Sequence, residues 1–130
     1  MSVCGNAGLA GLRILVLEDD YHLAADLERA LQNEGAVVVG PFPREGLGLA
    51  AVAARWIDAA VVDINLGAGR TFAVPAALAA AGIPFVFLTA YGGAAIPPQF
   101  ADVTRFGKPT DCRAVTRSVA GLMARPHASS

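Results

Sequence analysis

An aspartate closes an apolar run at Ala59-Ala60-Val61-Val62-Asp63, and a loop containing Gly67 and Gly69 follows. A strand of that composition is built for burial, and a carboxylate at its end is costly unless a partner meets it there. The ends of the other strand-like runs supply such partners. Arg13-Ile14-Leu15-Val16-Leu17 leads into Glu18-Asp19-Asp20, Pro84-Phe85-Val86-Phe87-Leu88 ends in Thr89, and the run Val103 to Gly107 is followed by Lys108-Pro109. Several carboxylates meeting at one edge repel one another unless a cation lies among them, and oxygen-only ligation with retained water suits Mg2+. An ionised aspartate in such a site is a competent nucleophile toward phosphorus and gives an aspartyl phosphate. A hydroxyl and a mobile point charge on a long stem then bind the phosphoryl oxygens. Lys108 is the only lysine among ten basic residues, the other nine being arginine.

The elements that must position these groups are legible in the hydrophobic pattern. Leu23, Leu27, Ala30 and Leu31 repeat at helical spacing behind Asp20, a suitable N-cap, and Asn33 and Gly35 close that helix. Ala36 to Gly40 reads as a second strand closed by Pro41 and Pro43, followed by an alanine-rich helix from Glu45 to Arg55 that Gly46 and Gly48 weaken. A third helix is expected from Arg70 to Ala81, with Pro75 tolerated in its first turn, and Gly82 as its stop. Residues Ala90 to Asp102 carry Gly92, Gly93, Pro97 and Pro98 and have room for one or two helical turns at most. The last helix starts near Thr110 or Asp111 and presents Val115, Val119, Leu122 and Met123 on one face. Strands alternating with helices predict an α/β fold, a doubly wound five-stranded parallel sheet with helices on both faces. Its ligands bind beyond the carboxyl ends of the strands, where Glu18, Asp63, Thr89 and Lys108 fall.

The composition narrows the classes. The 130 residues predict one domain, with residues 1–11 as a flexible lead, 12–124 as the folded unit and 125–130 as a frayed tail. The chain is 55% hydrophobic, with a mean hydropathy of +0.50, yet Pro, Gly and charged residues break every apolar run before it could span a bilayer. The opening residues have neither the basic start nor the apolar centre of a signal peptide. Two cysteines, Cys4 and Cys112, fit a reducing cytoplasm rather than a disulfide framework. Ten basic residues against eleven acidic ones, without a basic run, argue against direct nucleic-acid binding. His22 and His127 read as surface residues.

The ordered set Leu15-Val16-Leu17-Glu18-Asp19-Asp20, Val62-Asp63-Ile64-Asn65, Leu88-Thr89-Ala90 and Lys108-Pro109 resembles the receiver domain of two-component response regulators. The resemblance covers the chain from about Leu12 to Leu122 and implies a flavodoxin-like fold with strand order 2-1-3-4-5. It implies that Asp63 accepts a phosphoryl group from a histidine kinase or a phosphotransfer protein. It further implies that Asp19 and Asp63 ligate Mg2+ directly, that the backbone carbonyl of Asn65 completes the protein ligands, and that Glu18 acts through water. Thr89 and Lys108 would engage the phosphoryl group, and the peptide bond before Pro109 would be cis.

The chain departs from that family's pattern in three places. Arg105 stands where the rotating aromatic switch is usual, with Phe106 beside it as the other switch candidate; the fourth helix is shortened or irregular; and Gly67 replaces a common proline. These features resemble a single-domain subgroup with the run Phe-Val-Phe-Leu-Thr-Ala-Tyr-Gly, in which Tyr91 is placed to tune the lifetime of the phosphoryl group. Only one helix and a short tail follow Lys108-Pro109, so no output domain is expected. The output would be contact with a downstream protein or competition for phosphoryl groups. Two other readings remain open: a receiver-like scaffold that binds partners without phosphorylation, and a Mg2+-dependent phosphatase that forms an aspartyl phosphate. The phosphatase reading meets a difficulty, because Glu18-Asp19-Asp20 is not the Asp-x-Asp pattern expected after the first strand of such enzymes. Apart from its own phosphorylation and dephosphorylation, the leading reading predicts no enzyme activity.

Overall fold

All five residues of Ala59–Asp63 are buried, so this strand needs cover on both faces, and the rest of the chain supplies it. The computed structural model describes residues 8–54, 56–66, 69–70, 72–89 and 96–124. In chain order the elements are β1 (Arg13–Leu17), α1 (Tyr21–Asn33), β2 (Val37–Phe42), α2 (Glu45–Ala53), β3 (Ala59–Asp63), β4 (Asn65–Leu66), β5 (Gly69–Arg70), α3 (Ala73–Ala81), β6 (Phe85–Thr89), β7 (Arg105–Gly107) and α4 (Cys112–Ala124). A single 3-10 turn, Pro98–Phe100, precedes β7.

The main sheet has five strands in the order β2-β1-β3-β6-β7, and every pairing is parallel. Counting only its own strands, that is the order 2-1-3-4-5 of the flavodoxin-like fold, as expected. β4 and β5 form a separate two-residue antiparallel ladder directly after β3. Period-two alternation sends successive strand residues to two cores. Ile14, Val16, Val61, Val86 and Leu88 meet Leu27 and Leu31 of α1 and Val115 and Val119 of α4. Leu15, Leu17, Val62 and Phe87 meet Val52 of α2, Val74 and Leu78 of α3, and Phe100.

Local signals explain several element ends. The Asp20 side chain accepts hydrogen bonds from the backbone N–H groups of His22 (2.9 Å) and Leu23 (3.2 Å), which caps α1. Asp111 caps α4 in the same way through the N–H groups of Arg113 and Ala114. Pro75 is the third residue of α3, inside the first turn, where its missing N–H costs nothing.

Other ends differ from the sequence reading. β2 continues through Pro41 to Phe42, which is possible because β2 is an edge strand and its register with β1 shifts between Leu15 and Leu17. α3 starts at Ala73 rather than Arg70, because residues 69–70 pair with 65–66. Residues 8–11 also belong to the folded unit, so its start lies before the expected boundary at residue 12. Leu9 is fully buried, its N–H donates to the Glu34 carbonyl (3.1 Å), and a Cβ on Gly35 would come within 2.9 Å of Ala10 Cα. The tail 125–130 lies outside the described residues. Among the described residues, no helix is long and apolar enough to cross a membrane.

Candidate functional site

The parallel register brings the carboxyl ends of β1, β3, β6 and β7 to one edge. Leu17 pairs with Val62, Asp63 with Leu88, and Thr89 with Gly107, so Glu18, Asp63, Thr89 and Lys108 emerge side by side. A backbone hydrogen bond from the Lys108 N–H to the Thr89 carbonyl (3.0 Å) extends the last pairing by one residue. Glu18, Asp63 and Thr89 are buried, at 2%, 0% and 4% exposure.

Lys108 is the hub of the site. Its Nζ donates to Asp63 Oδ2 at 2.8 Å and to Glu18 Oε2 at 3.2 Å, and its side chain keeps 23% of its surface exposed. Desolvation pulls the Lys108 amine down, but the hydrogen bond and charge of Asp63, joined by Glu18, outweigh it and leave the pKa above 10.5. The lysine is therefore a fixed cation.

Glu18 is held from two sides, since the Asp20 N–H also donates to its Oε2 at 2.8 Å. Its Oε1 is buried and has no hydrogen-bond partner among the described residues. Burial first, then the charge of Asp63, pushes the Glu18 pKa up to about 7, against the Asp20 N–H and Lys108, which pull it down. Oxygens of Glu18, Asp19 and Asp63 lie within 4.8 Å of one another, and Asp19 is the exposed member. This acidic cluster can hold a divalent metal ion. An all-oxygen donor set with one exposed member fits a hard cation that keeps water, and Glu18 Oε1 is a buried acceptor that meets no donor among the described residues.

The remaining expected site residues are placed as follows. Asn65 opens β4, two residues past Asp63, with its backbone paired to Arg70. The bond before Pro109 is cis, as expected, and so is Gly40–Pro41, for which the sequence carried no signal. Arg105 is exposed and its Nη2 donates to the Ala101 carbonyl at 3.1 Å, while Phe106 packs into the α1/α4 core on the opposite face of β7. Tyr91 and Gly67 lie outside the described residues. Two contacts were not anticipated: the Lys108–Glu18 ion pair and the grip of the Asp20 N–H on Glu18. The run of three acids ahead of α1 was the available signal for the second.

No protein-family model matches the chain, and no curated protein matches it. Solved structures do. SdrG from Sphingomonas melonis Fr1 is 34% identical, with 95% of this chain and 100% of that one covered at a TM-score of 0.76. The signal receiver domain of a modulated diguanylate cyclase from Desulfovibrio desulfuricans G20 is 26% identical, with 87% and 94% covered at a TM-score of 0.71. The response regulator PhyR from Brucella abortus is 22% identical at a TM-score of 0.70, and the match takes in 89% of this chain but 49% of PhyR. The chain belongs to the receiver domains of response regulators.

Proposed function

We infer that Asp63 is a phosphoacceptor, loaded in a Mg2+-dependent reaction by a histidine kinase or a phosphotransfer protein. The observation that carries this reading is the Lys108 ammonium 2.8 Å from Asp63 Oδ2, beside three clustered carboxylates. A carboxylate oxygen of Asp63 forms the new bond to phosphorus as the phosphorus–nitrogen bond of a phosphohistidine breaks, and the imidazole nitrogen keeps the electron pair. Glu18 and Asp19, with Asp63 and the Asn65 carbonyl, are the groups that would hold the metal, Glu18 through water. When bound, Mg2+ would supply positive charge to the phosphoryl oxygens. Lys108, already beside the acceptor, balances the charge on those oxygens without having to move far. The Thr89 hydroxyl, at the neighbouring strand end, donates to one of them. The phosphorylated protein then acts by contact with a downstream protein or by drawing phosphoryl groups away from another acceptor.

The test is incubation with Mg2+ and acetyl phosphate, followed by intact-mass measurement. The parent chain gains one phosphoryl group, and Asp63→Ala gains none. Equal uptake by the two proteins would overturn the assignment. A scaffold that signals without phosphate would show neither uptake nor a Mg2+-dependent change that Asp19→Asn removes.

A further inference from the structure

The segment between β6 and β7 has a 3-10 turn among its described residues; Ile96 and Val103 pack on the same core, and the turn itself is seated on the sheet by an aromatic cluster. Phe100, in that turn, is 3% exposed. Its ring stacks on Phe72 at 5.9 Å with 17° between the planes, and it meets Phe87 at 5.8 Å and 90° and Phe85 at 6.1 Å and 73°. Phe72 also meets Phe87 edge-on at 6.2 Å and 83°. The rings come from segments that each touch the site. Phe72 is the residue before α3, at the far end of the loop that begins at Asp63, and Phe87 lies two residues before Thr89 on β6. Phe100 belongs to the connection that runs from Thr89 to Lys108.

Position 105 contributes from outside. Arg105 lies opposite Phe87 in the β6–β7 register, and its guanidinium donates to the carbonyl of Ala101, the residue that closes the turn. The turn is thus held at two points, by Phe100 within the core and by Arg105 on the surface. A ring packed among three others cannot move unless its neighbours move with it. Displacement of the acceptor loop is therefore passed to Phe100 through Phe72, with no aromatic required at 105.

We propose that the Phe72–Phe100 stack couples the acceptor loop to residues 96–103, so that the charge state of Asp63 is read at the exposed side of this turn, around Pro98 and Gln99. The proposal rests on the phosphoacceptor reading of Asp63. It is tested by backbone amide NMR of the full chain with Mg2+, before and after beryllofluoride is added. In the parent protein the amides of Ile64 and Lys108 shift, and those of Gln99 to Val103 shift with them. In Phe72→Leu the site amides still shift, while the response of Gln99 to Val103 falls at least about threefold. Phe85→Leu loosens the same cluster without cutting the link between the loops, and it keeps that response. Three results overturn the coupling: no shift at Gln99 to Val103 in the parent, an undiminished shift in Phe72→Leu, or an equal loss in Phe85→Leu. Silence at Ile64 and Lys108 themselves in the parent would instead defeat the phosphoacceptor reading and the coupling with it.

Discussion

The Lys108 ammonium stands 2.8 Å from Asp63 Oδ2, closing a contact between strand ends 45 residues apart in the chain. The same nitrogen also serves Glu18, so one cation compensates two carboxylates whose side chains are fully buried. Replacing it with methionine keeps the stem and deletes the charge, leaving the acids facing each other. Lys108→Met should lose about 3 kcal/mol of stability in urea unfolding at pH 8 without metal, as when a buried pair loses one partner. Added Mg2+ should restore more stability to the variant than to the parent.

The pH dependence has a definite sign. Glu18 titrates near 7 in the folded protein against an ordinary value of 4.5, so between those two values the folded chain holds a proton that the unfolded chain has released. In metal-free buffer, stability should therefore fall as pH rises from about 4.5 to about 7, then level off. Glu18→Gln, which cannot titrate, should flatten that part of the profile in urea titrations taken at successive pH values. A parent profile rising through this window would contradict the environment assigned to Glu18.

Metal binding should be visible as stabilisation. An ion that binds only the folded site raises the melting temperature progressively with its concentration. Thermal melts in rising Mg2+ should show this for the parent. Asp19→Asn removes one member of the acidic cluster, so it should abolish most of the Mg2+-dependent increase.

Two glycines should respond in opposite directions to alanine. A Cβ on Gly46 would meet nothing within 4 Å, and this position lies in the first turn of α2, so Gly46→Ala should stabilise by about 0.5 kcal/mol. Gly40 has φ +106°, and a Cβ there would approach Phe42 N to 2.7 Å and Val16 O to 3.0 Å. Gly40→Ala should cost more than about 1 kcal/mol, because both the left-handed backbone and the close approach exclude a side chain. Denaturant midpoints of the two variants, on either side of the parent, are the check.

The parallel sheet and its site edge were legible because apolar runs ending in Glu18, Asp63, Thr89 and Lys108 carry their own direction. Once strands are parallel, their carboxyl ends must converge. Asp20 was legible as a cap because its side chain serves its own neighbours in sequence. The Lys108–Glu18 contact was not, since it depends on how far a long side chain reaches across two intervening strands, which no spacing encodes. The extension of β2 through Pro41 was hidden for a related reason: a proline is excluded from a central strand but not from an edge, and only the sheet order makes β2 an edge. Leu9 was misjudged as part of a flexible lead because one apolar residue among small ones has no periodicity to read. Backbone hydrogen bonds from Leu9 to Glu34 and from Gly11 to Gly35 tie its segment to the end of α1.

Trp56, the only tryptophan, lies just before β3 with 64% of its surface exposed and the Arg13 guanidinium 5.4 Å from its ring centroid. Four residue steps along β3, from Ala59, then carry the chain about 13 Å to Asp63 at the other end of the strand. The protein thus holds a fluorophore remote from its own acidic pocket. Emission from Trp56 should stay nearly silent when the pocket is filled, giving each titration at Asp63 a built-in reference signal.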